Sequence, residues 1–112
     1  MILTETYTLN NGNTIPKLGY GTWMIENDDA AKAVATAIEV GYRHIDTAQA
    51  YENEEGVGQE IIDSGIDRAE LFITTKIAAE HKTYEETTSS IDQSLAKMQL
   101  EYLDLVIIHS PN

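Results

Sequence analysis

The sequence predicts an α/β protein, with a small β-hairpin followed by β-α-β-α-β-α-β and a parallel sheet. Three observations predict it. Short β-branched, apolar runs alternate with stretches whose apolar residues recur at helical spacing. The strand candidates are apolar at nearly every position, as a sheet covered by helices requires. Capping residues and glycines stand at the junctions between the two kinds of stretch.

The elements follow in order. Tyr7 to Ile15 reads as a hairpin with Asn11-Gly12 as its turn dipeptide. Lys17 to Thr22 is a short first strand of the sheet, punctuated by Gly19 and Gly21. Asp28 and Asp29 open a helix whose stripe is Ala30, Ala33, Val34, Ala37 and Ile38, and Gly41 stops it. Tyr42 to Asp46 is the second strand. Asn53 caps a second helix with Val57, Ile61 and Ile62 inward and Gly65 beyond its end. Leu71 to Ile77 is the third strand. Thr83 and Glu86 fit a capping box for a third helix with inner stripe Ile91, Leu95 and Met98. Leu103 to His109 is the fourth strand. No repeat, linker or low-complexity stretch interrupts the 112 residues.

Composition narrows the partners. With 19 acidic and 7 basic side chains the net charge is −12, which opposes binding to nucleic acid or an anionic membrane through a basic face. The 42% hydrophobic content suffices for a packed core. The absence of cysteine rules out disulfides and cysteine-ligated metal, and no His/Asp/Glu set has metal-ligand spacing, so no metal is expected. The longest apolar run, Leu105 to Ile108, is far short of the roughly 20 residues that span a bilayer. Met1 to Glu5 lacks the basic and apolar regions of a secretory signal. A soluble cytoplasmic protein is the expectation.

The strand ends carry the chemistry. The second strand ends in Asp46, the third in Lys76 and the fourth in His109. In a parallel sheet these ends lie on one side, where α/β proteins place their sites. The competing reading is a structural ion pair between Asp46 and Lys76, although desolvation offsets the attraction of such a pair. His109 alone would read as a hydrogen-bonded core histidine, and Trp23 alone as core.

Tyr51 lies five residues past Asp46, in the loop leaving the same mouth. A free phenol, with a pKa of about 10, exchanges protons poorly near neutral pH. An adjacent ammonium favours the phenolate, and a carboxylate on that ammonium keeps it charged and in place. Asp46, Lys76 and Tyr51 thus compose a proton donor, with His109 placed to orient a carbonyl oxygen. Such a donor suits the oxyanion formed when a hydride reaches a carbonyl.

These residues match a known motif. Asp46-Thr47-Ala48-Gln49-Ala50-Tyr51-Glu52-Asn53-Glu54 resembles the Asp-Thr-Ala-x-x-Tyr-x-Asn-Glu motif of the aldo-keto reductases. Pro16-Lys17-Leu18-Gly19-Tyr20-Gly21-Thr22-Trp23 is similar to their first-strand segment. Thr75-Lys76 and Leu103-Asp104-Leu105-Val106-Ile107-Ile108-His109-Ser110-Pro111 are similar to their third and fourth strand ends. The resemblance spans the whole chain, and the nearest branch is the bacterial one that includes diketogluconate reductases.

The resemblance implies the N-terminal part of a (β/α)8 TIM barrel, with the hairpin closing its bottom. It implies NADPH-dependent reduction of aldehydes or ketones, with Tyr51 as general acid, Lys76 and Asp46 as its tuning pair, and His109 orienting the carbonyl. It places Gly21, Thr22 and Asp46 near the nicotinamide, and Trp23, Tyr51 and His109 around the substrate. Two positions depart from the family pattern. Ile77-Ala78-Ala79 replaces a tryptophan that often follows the lysine, and Ser110 replaces one that often follows the histidine. Both alter the pocket wall and leave the four catalytic positions intact.

A barrel of this type takes about 250 residues. Residues 1–112 correspond to its N-terminal half, and in the family the groups that grip the adenosine phosphate lie in the other half. The expectation is a truncated fragment that binds NADPH weakly or not at all alone. Unpaired first and fourth strand edges would favour self-association or pairing with the missing half. A Schiff-base aldolase built on Lys76 is a third reading, opposed by the neighbours that would hold the ammonium charged. His44 reads as a strand histidine bonded to neighbouring backbone, and His81 as a solvent-facing loop residue. Glu52, Glu54 and Glu55, like Glu85 and Glu86, read as acids favoured at helix N-termini.

Overall fold

The computed structural model describes residues 2–109. Met1, Ser110, Pro111 and Asn112 lie outside the described residues, and with them the Ser110 departure. A 3₁₀ turn at Ile2–Thr4 precedes β1 (Thr6–Thr8), which pairs antiparallel with β2 (Thr14–Pro16), Tyr7 opposite Ile15. The Asn11-Gly12 dipeptide sits in a loop wider than a two-residue turn. Leu9 N–H reaches Asn13 O at 2.7 Å, and Asn11 Oδ1 accepts from Asn13 N–H.

β3 (Gly19–Gly21), β4 (His44–Asp46), β5 (Phe72–Ile77) and β6 (Leu105–Ile108) form one parallel sheet in chain order. The observed β3 and β4 are shorter than the predicted strands, with three residues each. Gly21 stands opposite Asp46, Asp46 opposite Thr74, and Ile77 opposite Ile108. The strands are linked in sequence by α1 (Asn27–Val40), α2 (Glu54–Asp63) and α3 (Tyr84–Met98), the sequential βα pattern of a TIM barrel. β3 and β6 each have one strand neighbour among the described residues, and β6 leaves Ile107 and Ile108 exposed.

The core lies between the helices and one face of the sheet. Ile45 and Ile73, paired in register, meet Val34 and Ile38 of α1, Val57 and Ile61 of α2, and Met98 of α3. Alternation along β4 then sends His44 and Asp46 to the opposite face. In α1, Ala30, Val34, Ala37 and Ile38 are buried as the stripe predicts, with Ala33 half-buried. Gly41 ends the helix at φ 112°, a conformation costly for residues with a Cβ, and its N–H reaches the carbonyls of Ala37 and Ile38.

The other two helices depart from their predicted faces. In α2, Val57 and Ile61 are buried, but Ile62 is 48% exposed. It lies about 140° around the helix from Val57, off the inner stripe. In α3 the capping box forms as predicted, with Thr83 Oγ1 accepting from Glu86 N–H and Glu86 Oε1 from Thr83 N–H, both at 3.1 Å. Its buried stripe is Ser90, Ser94 and Met98, while Ile91 and Leu95 are only half-buried. The reason is the surface it meets. Polar atoms of Gln49 and Glu54 face α3, and the serine hydroxyls bond to them.

Two glycines let α2 lie close to both neighbours. A Cβ on Gly56 would fall 2.5 Å from Asn27 O of α1, and one on Gly58 2.3 Å from Met98 Cα of α3.

Candidate active site

The site is built where β4, β5 and β6 end. Asp46 closes β4, and the chain turns through a 3₁₀ segment, Gln49–Tyr51, that brings Tyr51 back over the mouth. Lys76, near the end of β5, has its side chain largely buried. Its ammonium donates to the Asp46 carboxylate, to Thr47 O at 3.0 Å and to Tyr51 Oη at 3.3 Å. The same nitrogen lies 4.9 Å from the centre of the Tyr51 ring. His109 follows β6, its N–H bonded to Ile77 O, and its ring meets that of Tyr51 edge-on at 5.8 Å and 89°. The four predicted residues therefore converge from three separate chain segments.

Three acceptors surround Lys76 Nζ, which carries three protons as an ammonium and no acceptor. Its charge lies against the phenol oxygen, where negative charge would gather if Tyr51 released its proton. The Asp46 carboxylate balances that charge in a partly buried place.

The β3 side of the mouth is held by a buried knot. Thr22 N–H donates to Asp46 O at 3.0 Å. Thr22 Oγ1 donates to Thr47 Oγ1 at 2.9 Å, and Thr47 Oγ1 donates to Asn53 Oδ1 at 2.8 Å. Asn53 Nδ2 donates to the carbonyls of Thr22 and Ile25, each at 2.9 Å. Asn53 thus stands at the N-cap position without capping by its side chain, because its amide ties the loop after β3 to the loop after β4. Thr22 is fully buried with its hydroxyl engaged in this knot, whereas Gly21 is exposed opposite Asp46. Trp23 follows, 70% exposed, in the loop leaving β3.

Glu54 opens α2, an acid at a helix start as the sequence suggests, and it is also engaged from outside the helix. It is 3% exposed, and its carboxylate accepts from Thr75 Oγ1 at 2.8 Å and from Ser94 Oγ at 3.2 Å. Its neighbours Glu52 and Glu55 remain exposed, and of the three only Glu54 is a specified position of the family motif. Among the described residues no group of three or more His, Cys, Asp or Glu is placed to hold a metal. No helix among them is long and apolar enough to cross a membrane.

His44 lies on the Asp46 face, and its partner is a side chain rather than the expected backbone. Its Nε2 shares a hydrogen bond with Thr74 Oγ1 at 2.9 Å, and its ring meets Phe72 edge-on at 5.0 Å. Burial lowers its pKa below the ordinary histidine value, Asp46 and Asp104 pull the other way, and Lys76 adds a little to the lowering. The unfolded chain therefore takes up this proton first as pH falls. The neutral ring's contribution is complete above about pH 6.5 and is lost as pH drops from there toward the lowered folded value. We expect urea midpoints to fall between pH 7.5 and 5.5, and His44→Gln to flatten that slope. An unchanged slope in the variant would remove His44 from the pH response.

With this geometry in view, the chain matches the Aldo/keto reductase family model over residues 17–112. The chain belongs to the aldo/keto reductase family. It is 48% identical over 108 residues to a glycerol 2-dehydrogenase (NADP(+)) of Saccharomyces cerevisiae, covering 96% of this chain and 34% of that protein. It is 48% identical over 110 residues to a glyoxal reductase of Bacillus subtilis, covering 97% of this chain and 40% of that one. A crystal structure of an aldo/keto reductase from Brucella melitensis superposes with a TM-score of 0.92 at 53% identity, over 94% of this chain and 40% of the other. The fold is accordingly the N-terminal part of a (β/α)8 barrel. The aldo/keto reductase chain described here spans 34 to 40% of the length of these relatives.

Proposed function

We propose that this chain carries the proton-donating site of an NADPH-dependent reductase of aldehydes or ketones. The observation that carries the reading is the Lys76 ammonium bonded at once to the Asp46 carboxylate and the Tyr51 phenol at the C-terminal mouth of the sheet. When bound, NADPH supplies the hydride. The chain's own residues manage the proton. Tyr51 donates it to the carbonyl oxygen, Lys76 stabilises the resulting phenolate, Asp46 balances Lys76, and His109 orients the oxygen beside Tyr51. Trp23, Tyr51 and His109 bound the substrate.

The residues fit one end of the cofactor better than the other. Gly21 and Asp46, with Thr22 behind them, form a rim beside the proton donor suited to a nicotinamide. Three of the basic side chains outside the site are already engaged. Lys17 pairs with Glu5, Arg68 with Asp104, and Arg43 donates to the carbonyls of Ile38 and Tyr42. The open edges of β3 and β6 and the exposed Ile107 and Ile108 fit completion of the sheet by further barrel strands, or self-association in their absence. The three acceptors around Lys76 Nζ disfavour a Schiff-base role, which needs a free amine.

The test compares the 112-residue chain with a completed barrel, in which it is fused to the part of the Bacillus subtilis glyoxal reductase that follows the matched segment. NADPH consumption with aldehydes is expected from the completed barrel, with little or none from the chain alone. Micromolar, saturable NADPH binding by the chain alone would contradict the cofactor half of this reading. Borohydride trapping of a carbonyl substrate on Lys76 would replace the reductase with the aldolase.

A further inference from the structure

The turn that bears Tyr51 is tied down by a side chain with no part in the chemistry above. Gln49 opens the turn and is half-buried. Its Oε1 accepts from the Ala78 N–H at 2.8 Å, and its Nε2 donates to Ser90 Oγ at 3.1 Å and Ser94 Oγ at 3.3 Å. Ala78 stands two residues after Lys76, and Tyr51 two residues after Gln49. One amide therefore joins the segment carrying the phenol to the segment carrying the ammonium.

The network has a direction. Ser90 Oγ donates to Thr87 O at 2.8 Å, and Ser94 Oγ donates to Glu54 Oε1 at 3.2 Å. Both hydroxyls thus turn acceptor oxygen toward Gln49. Position 49 needs an acceptor for Ala78 and a donor for the serines, which an amide supplies and a carboxylate does not. A carboxylate there would also share Ser94 with the buried Glu54, adding like charge in a poorly solvated place. These groups line a polar cavity of about 320 Å³, so hydrogen bonds set the amide's orientation more than packing does. Among the described residues the turn's own backbone bonds are short-range, Tyr51 N–H to Ala48 O and Glu52 N–H to Gln49 O.

We propose that Gln49 is a positioning residue of the reductase site, its amide setting the approach of the Tyr51 phenol to the Lys76 ammonium through Ala78 and the two serines of α3. Its effect on turnover rests on the reductase reading; its effect on the contact does not.

The contact is read in the 112-residue chain as the NMR cross-relaxation between the Lys76 ε-methylene and the Tyr51 ring, assigned by its loss in Tyr51→Leu. Gln49→Glu is expected to weaken that peak about threefold, a small displacement being enough, with the methyl shifts of Val34, Val57 and Ile73 unchanged. The double variant Gln49→Glu/Glu54→Gln reverses the donor and acceptor sense at Ser94 and is expected to restore most of the peak. If Gln49→Glu does not fold, Gln49→Met keeps the bulk without the hydrogen bonds and should show the same weakening. An unchanged peak in a folded variant of either kind overturns the proposal. In the completed barrel Gln49→Glu should lower kcat by about tenfold with KM unchanged, and the double variant should recover it. A wild-type barrel without turnover overturns the reductase reading and leaves the cross-relaxation result to decide Gln49 separately.

Discussion

Tyr51→Phe in the completed barrel is expected to lower kcat for carbonyl reduction by about 10²- to 10⁴-fold, the range that a positioned proton donor contributes. The substitution removes one oxygen and keeps the ring, so the edge-on contact with His109 survives. KM should change little, because the lost interaction is made chiefly in the transition state. The oxygen is also one of three acceptors on Lys76 Nζ, and Asp46 and Thr47 O still hold that ammonium in the variant. The fold should therefore be unaffected, which thermal melting checks. A variant that keeps kcat within about threefold of wild type would assign the proton to another group.

Gly58→Ala is the largest expected change in stability. The added Cβ would stand 2.3 Å from Met98 Cα and 2.4 Å from Met98 O, which is backbone that cannot rotate away. Overpacking of this kind costs about 3 kcal/mol, and alanine in a helix returns about 1, leaving a net loss of about 2 kcal/mol. For a domain of this size that lowers the melting temperature by roughly 8 to 16 °C. Gly21→Ala, with no atom within 4 Å of the new Cβ, is the control and should change stability by less than about 0.5 kcal/mol. A Gly58→Ala chain as stable as the control would mean that α2 and α3 are not packed as described.

How much of this was legible in the sequence depended on range. The order of strands and helices, the α1 stripe and the Thr83–Glu86 box follow from spacing within a few residues, and each formed where predicted. So did the meeting of Asp46, Lys76 and His109, because a parallel sheet fixes the side on which strand ends emerge. The family resemblance implied the barrel, and the family and the fold are confirmed. What stayed hidden was set by partners far along the chain. Asn53 has the composition of a helix cap, yet its amide is taken by Thr22, Thr47 and Ile25, six to 31 residues away. Glu54 is a specified position of the motif, but its burial is set by Thr75 and Ser94, which close over it from 21 and 40 residues away. The α3 face differs from expectation for the same reason, since apolar periodicity favours Ile91 and Leu95, while the surface that α3 meets is polar and selects Ser90 and Ser94. Gln49 occupies an unspecified position of the motif, so nothing local marked it.

The central claim is that the phenol of Tyr51 and the ammonium of Lys76 act as one unit. A double-mutant cycle on kcat in the completed barrel, with Tyr51→Phe, Lys76→Met and both together, tests it most directly. Groups that act as a unit are strongly non-additive, so the double variant should be no slower than the slower single variant. Losses that multiply across the cycle would show two independent contributions and would contradict the account.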